Sequence, residues 1–251
     1  MTAPVFLVEP ALLDGGGPAG PREIVLTGPE GRHAVSVRRL QPGEEVVLTD
    51  GAGRGAHGEV AAVAGKDELT VRVREMRTEP DPRPTVTVVQ ALPKGDRGEL
   101  AVETMTEAGV DAVLPWAAAR CVTQWRGERG AKSLAKWRST AREAAKQARR
   151  LRFPTVGDLV TTRQLLPLLA AADFAAVLHE EGSVPLATAA LPQSGSLLLV
   201  VGPEGGIAPE ELALFAEVGA TPHRLGPTVL RTSTAGVAAV SLLLARTGRW
   251  S

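Results

Sequence analysis

Three prolines in seven residues, TEPDPRP at positions 78–84, constrain this chain more than any other feature. Proline has no N–H for a sheet ladder and biases its predecessor toward extended backbone, so neither a helix nor a central strand runs through the stretch. The chain is therefore expected to fold as two parts: residues 1–76, a linker at 77–84, and residues 85–251. Before the break, EIVLTG, EEVVLTDG, GEVAAV and ELTVRVREM are brief β-rich runs, interrupted by one helical piece, RHAVSVRRL. Closely spaced short strands with Gly-rich turns predict a small β-barrel. After the break, TVTVVQAL, DAVLPW, FAAVLHE and SLLLVVG are apolar strand candidates. Helical stretches lie between or after them at 99–108, 134–151, 161–171, 209–218 and 234–245. That alternation predicts an α/β domain with a largely parallel sheet.

No uninterrupted apolar run approaches the ~18 residues needed to span a bilayer, so no membrane partner is expected. The opening MTAPVFLVEP has neither the basic n-region nor the apolar h-region of a signal peptide. A single cysteine, Cys121, excludes an internal disulfide and any multi-cysteine metal site. The four histidines, His33, His57, His179 and His223, have no metal-ligand spacing. A cytoplasmic protein without a metal is the expectation. Net charge is zero, yet between residues 120 and 152 eleven Lys or Arg accompany two acids, so that segment carries +9 and the rest −9.

Most of that charge lies in LAKWRSTAREAAKQARRLRF. Leu134, Trp137, Ala141, Ala144, Ala148 and Leu151 recur at helical steps and form an apolar stripe. Arg138, Arg142, Lys146 and Arg149 with Arg150 recur on another face, flanked by Lys136 and Arg152. Almost no acids are interspersed, so pairs within the helix do not account for this ridge, which suits a nucleic-acid backbone. The simpler alternative is a solvated helix face. A second string, GRGAHG at 53–58, satisfies G-x-G-x-x-G. Another strand pattern follows it, not a helix, so the helix N-terminus that a dinucleotide site needs is missing and the string reads as a hairpin loop.

The most specific signal is LLLVVGPEGGIAPEELALF, where an apolar strand runs into Gly202-Pro203-Glu204-Gly205-Gly206 and then a helical pattern. Glycines let the backbone approach a ligand closely. Pro209, Glu210 and Glu211 suit the first turn of the next helix. With Glu204 those acids make the turn a poor phosphate cradle, and no Lys, Ser or Thr follows the glycines as in a P-loop. A neutral or cationic ligand fits better. A second stiff turn, Leu225-Gly226-Pro227, leads through LRTSTA into a helix of small residues, where Thr232, Ser233 or Thr234 can act as the cap.

LLLVVGPEGG followed by LGPTVLRTSTA resembles the paired C-terminal motifs of the SPOUT superfamily of RNA methyltransferases. The whole chain most resembles the RsmE family, through ALPKGDRGE, EAGVDAVLPWAAARC, KWRSTAREAAKQARR and the barrel-like EGRHAVSVRRLQPGEEVVLTDGAG. The family often has Arg in place of Thr228 and Glu in place of Ser233. The resemblance implies a PUA-like β-barrel, then a SPOUT domain closed by a deep trefoil knot that holds S-adenosyl-L-methionine. It places around that cofactor Leu178, His179, Glu180, Val201, Gly202, Pro203, Glu204, Gly205, Gly206, Leu225, Gly226, Val229, Leu230, Thr234 and Ala235. It implies methylation at N3 of a uridine in 16S ribosomal RNA, within the small subunit, by a homodimer. Arg231, directly after the cofactor turn, is the candidate catalytic residue; its structural alternative is to hold a carboxylate such as Glu204. No residue stands out as general base; His179 and His223 are the candidates, and the alternative for each is a structural histidine on a strand. RNA would be held by Arg32, His33, Arg38 and Arg39, by Lys94 and Arg97, and by Arg138, Arg142, Lys146, Arg149 and Arg150. A SPOUT enzyme acting on another nucleotide, such as a tRNA or rRNA ribose, and a catalytically silent RNA-binding homologue are the other readings.

Overall fold

The computed structural model describes residues 3–15 and 22–250, so the outer limits expected for the two parts, residues 1 and 251, lie outside the described residues. The chain gathers into two compact units. One comprises Met1–Asp81 with Ala145–Phe153, the other Pro82–Ala144 with Pro154–Ser251.

The first unit is built on β1 (Val5–Leu7), β2 (Glu23–Leu26), β3 (Glu45–Thr49), β4 (Arg54–Ala64) and β5 (Glu68–Thr78). They form one sheet in the order β1-β3-β4-β5-β2, with β1 parallel to β3 and the other neighbours antiparallel. Period-2 alternation sets its sides: Ile24 and Leu26 of β2 are buried while Glu23 and Val25 face out. With Phe6, Leu13, Leu48, Leu69 and Val71 they make the core of this unit. RHAVSVRRL becomes the end of helix α1 (Gly28–Arg32) and a wider helical turn, His33–Val37. The string GRGAHG is not a hairpin loop. From Arg54 onward it is the start of β4, paired to β3 and β5, and with no helix after it the dinucleotide reading is gone.

The second part does not run unbroken from residue 85, because Ala145–Phe153 belongs to the first unit. Leu151 is the reason. It is 6% exposed in a cluster with Val5 and Val47, and its carbonyl accepts from Thr49 Oγ1 at 2.7 Å and Gly53 N at 3.2 Å.

The second unit is a parallel sheet with helices on both faces. Its strands are β6 (Thr85–Ala91), β7 (Ala112–Ala117), β8 (Thr155–Val156), β9 (Val160–Thr161), β10 (Phe174–Leu178), β11 (Val184–Pro185), β12 (Ser196–Val201) and β13 (Thr221–Arg224). The order is β11-β13-β10-β12-β6-β7-β8, with β9 also on β7. Helices α2 (Arg97–Ala108), α3 (Gly127–Gln147), α4 (Thr162–Ala171), α5 (Pro209–Glu217) and α6 (Thr232–Arg246) connect or follow them. Strands covered on both sides must be apolar throughout, which is why β12 reads SLLLVV. Val86 and Val88 bury toward α2, α3 and α6; Val89 and Ala91 bury toward Leu165 and Leu169 of α4 and Phe215 of α5. Gly236 of α6 lets that helix close on α2, since a Cβ there would lie 2.5 Å from Met105 Sδ.

Helix α3 starts and ends earlier than 134–151. Its last carbonyls are closed by Arg149 N on Lys146 O and Arg150 N on Ala145 O, with Arg149 in the left-handed region at φ 57°. Thr161 caps α4 through a reciprocal bond with Gln164. Arg249, near the end of the described residues, is anchored as well. Arg249 forms a forked pair with Asp111 and donates to Pro84 O at 3.1 Å, while Asp111 also accepts from Val86 N at 2.7 Å. The two side chains are 19% and 11% exposed, so the pair is largely out of water. Arg249→Met is therefore expected to cost about 2 kcal/mol by stranding a carboxylate, read as a lower urea midpoint at unchanged slope.

Candidate functional site

Ligands of open α/β sheets bind at the carboxyl ends of the strands, and here that edge carries three turns. Residues 179–183 follow β10, 202–208 follow β12, and 225–231 follow β13. Strand β13 lies outside β10, whereas α6 packs on α2, β6 and β12, so residues 225–231 pass across the ends of β10 and β12.

Each turn is fixed by its own sequence. After β10, His179 N donates to His223 O at 3.0 Å and Gly182 N to His179 O at 3.1 Å. Only glycine fits at 182, because a Cβ would sit 2.6 Å from the backbone carbon of His223. After β12, Gly206 N donates to Pro203 O at 2.9 Å with Gly206 at φ 73°, a conformation suited to glycine. Arg120 Nη1 steadies this turn by donating to Gly205 O at 3.2 Å.

The bond between the glycine turn and the last helix was not legible in sequence. Thr232, 6% exposed, donates its hydroxyl to Gly202 O at 2.8 Å and accepts from Gln90 Nε2 at 3.0 Å. None of Thr232, Ser233 and Thr234 caps α6, contrary to expectation. Arg231 is the N-cap residue, and its carbonyl accepts from Thr234 N, Ala235 N and Thr234 Oγ1. Thr232 is instead turned inward to join β6, β12 and α6. Thr232→Val keeps the shape but removes the hydroxyl that donates to Gly202 O and one of the two acceptors of Gln90 Nε2, which keeps Ala91 O at 3.1 Å. It is expected to weaken ligand binding at this edge about tenfold, checked by calorimetry, with Thr232→Ser close to the native value.

The extent of the match to known sequences decides what this edge belongs to. A family model described as an RNA methyltransferase domain matches residues 79–244, and an RNA methyltransferase PUA domain matches residues 26–74. The Mycobacterium bovis protein ribosomal RNA small subunit methyltransferase E is 49% identical over 254 aligned positions, covering 100% of this chain and 94% of the relative. The chain belongs to that methyltransferase family. Its Bacillus subtilis namesake is 34% identical, with 87% of this chain and 88% of the relative covered. A Legionella pneumophila methyltransferase solved with bound cofactor SAM has a TM-score of 0.83 at 27% identity, over 98% of each chain. A Neisseria gonorrhoeae member of the family, solved with S-adenosyl methionine, also has a TM-score of 0.83; at 24% identity it shows the shared fold.

Within this RNA methyltransferase the expected cofactor residues do collect at one edge, but in different postures. Val201 is 2% exposed in the core, so it offers its backbone and not its side chain. Leu178, Leu225 and Ala235 are half-buried; Glu180 and Thr234 are exposed. Val229 and Leu230 are 77% and 39% exposed, an apolar lip above the turns. Of the acids, Glu211 does not face a ligand. It is 4% exposed and accepts from Ala119 N, Thr162 Oγ1 and Ala208 N. Glu204 accepts from Lys94 N at 3.1 Å and lies 3.9 Å from Arg97, so it is not held by Arg231. The guanidinium of Arg231 is exposed and has no acidic partner among the described residues.

Both histidines are engaged. His179 Nδ1 accepts from Glu181 N at 3.2 Å, which leaves the proton of the neutral ring on Nε2. His223 is 5% exposed, with Nδ1 2.9 Å from Thr221 O and its ring edge-on to Phe174. The cationic ridge is also less free than its sequence suggests. Lys146 is no part of an exposed face: its side chain is 4% exposed and its ammonium meets Glu30 at 2.8 Å. Arg138 pairs with Asp158 and Lys136 with Glu99, acids that lie outside the helix.

Proposed function

We propose that this chain transfers a methyl group from S-adenosylmethionine to N3 of a uridine in 16S ribosomal RNA. The observation that carries the reading is the joined edge, where the glycine turn after β12, Gln90 of β6 and the start of α6 are tied together through Thr232. The residues present fit such a donor. Exposed Val229 and Leu230 offer apolar cover, the 202–206 turn offers backbone groups, and Gln90 Oε1, beside Thr232, is a buried acceptor with no partner among the described residues. When bound, the cofactor supplies an electrophilic methyl group on a sulfonium.

The chain's own task is then at the acceptor. A uridine N3 proton titrates about two units above neutral pH, so ionisation costs about 3 kcal/mol. Arg231 is the group we assign to stabilising the anion, with the positive end of α6 behind it. His223 is buried and His179 Nδ1 already accepts from Glu181 N, so neither is assigned as base and in this reading the N3 proton passes to solvent. RNA is held, in this reading, by Arg32, Arg38 and Arg39 of the first unit and by Lys94 and Arg97 beside the glycine turn. We further assign the chain to a cytoplasmic homodimer acting on the small subunit, with the crossing segment 225–231 threaded as a trefoil knot. Exposed Val122, Val229 and Leu230 suit a second subunit.

The test is nucleoside mass spectrometry on small subunits lacking the modification, incubated with the protein and labelled S-adenosylmethionine. Labelled 3-methyluridine is expected. Binding without any labelled nucleoside would favour a silent homologue, and a different methylated nucleoside would sink the uridine assignment.

A further inference from the structure

Among the described residues, the left-handed backbone region is left to glycine with two exceptions: Arg39 at φ 56° and Arg149 at φ 57°. A side chain bearing Cβ is strained there, and the residue that closes a helix as Arg149 closes α3 is most often glycine. Such strain persists where a position serves something other than stability. Arg149 lines one concavity together with Arg38, the residue before Arg39. In the first unit, Phe6, His33, Arg38, Lys146, Gln147 and Arg149 line one open pocket. Glu30 balances the buried Lys146 ammonium at 2.8 and 3.0 Å. The guanidinium groups of Arg38 and Arg149 have no acidic partner among the described residues, and both residues are exposed. The pocket thus holds uncompensated positive charge on two planar forks, the geometry that suits phosphate oxygens.

We propose that this pocket seats a backbone phosphate of the RNA substrate, gripped by Arg38 and Arg149. The inference rests on the reading of the chain as an rRNA methyltransferase and adds a site that the joined edge does not contain. Arginine at 149 accepts a strained backbone in order to put a fork at the pocket mouth. Lys146, held by Glu30, also lines the pocket.

Arg149→Gly separates binding from folding, because it should do opposite things to each. The melting temperature is expected to rise by roughly 2–4 °C as the strain is relieved. The KM for small subunits lacking the modification should rise about tenfold at unchanged kcat and unchanged S-adenosylmethionine affinity. The slope of log K against log salt should shrink by about 0.7–0.9, the value of one lost phosphate contact. Arg38→Gln, in ordinary backbone, should reproduce the KM and slope without the stability gain. Native KM and slope in Arg149→Gly would overturn the site while leaving the methyltransferase reading standing. Saturable uptake of inorganic phosphate at matched ionic strength, with subunit binding unaffected in both variants, would overturn the assignment to RNA. Wild-type protein that neither binds nor methylates subunits would remove the parent reading, and the site with it.

Discussion

Arg231→Ala should lower methyl transfer by about 10²–10³-fold under single-turnover conditions while leaving S-adenosylmethionine affinity within about twofold of the native value. The size follows from the role: one preorganised cation at a developing anion is typically worth that much. The unchanged affinity follows from posture. The guanidinium is exposed and holds no acid among the described residues, whereas the backbone of Arg231 is pinned by Thr234 N and Ala235 N on its carbonyl. Truncating the side chain therefore leaves the turn and the N-terminus of α6 in place. Arg231→Lys should fall between, keeping the charge but losing the fork. Stopped reactions on small subunits, with calorimetry for the cofactor, separate the two quantities. A native single-turnover rate for Arg231→Ala would end the catalytic assignment. A joint loss of cofactor affinity and melting temperature would make Arg231 structural.

What could be read in advance was what the chain states locally. The strands TVTVVQAL, FAAVLHE and SLLLVVG are apolar because both faces are covered, and they stand in the structure as β6, β10 and β12. The glycine turn was legible for the same reason, since its unusual backbone demands an unusual residue. Strand β13 was not, because TPHR has no apolar alternation and a proline in the middle; its pairing comes from β10 and β11 on either side. Thr232 looked like a helix cap because a threonine near a helix start usually is one. Its acceptor, Gly202 O, is 30 residues away. Lys146 looked exposed because helical spacing puts it beside Arg142 and Arg150, but the acid that buries it is 116 residues distant. Both misreadings are of one kind: a polar side chain's partner came from another segment, and periodicity within one segment cannot name it.

Glu211 shows the same principle with a larger consequence. Adjacent Glu210 and Glu211 look interchangeable as acids in the first turn of α5. In the fold Glu210 is exposed, whereas Glu211 is buried and accepts from Ala119 N at 2.9 Å, Thr162 Oγ1 at 2.7 Å and Ala208 N at 3.2 Å. Thr162 in turn accepts from the indole of Trp116, which is fully buried against Phe215. One carboxylate thus joins the segment after β7, the start of α4 and the start of α5. It also steadies both flanks of the glycine turn: Ala208 ends it, and Ala119 precedes the Arg120 that donates to Gly205 O. Bonds to an ionised acceptor contribute about 1.5–3 kcal/mol each, and part of that is recovered by water once the exposed Ala119 is released. Glu211→Ala is therefore expected to cost about 3 kcal/mol, lowering the melting temperature by roughly 6–12 °C. Well below that temperature it should also weaken S-adenosylmethionine binding about tenfold, because the turn has lost both supports. Glu210→Ala should stay within about 0.5 kcal/mol of the native protein. Equal effects for the two substitutions would mean that Glu211 acts only as surface charge near a helix end, and the clamp would have to be abandoned.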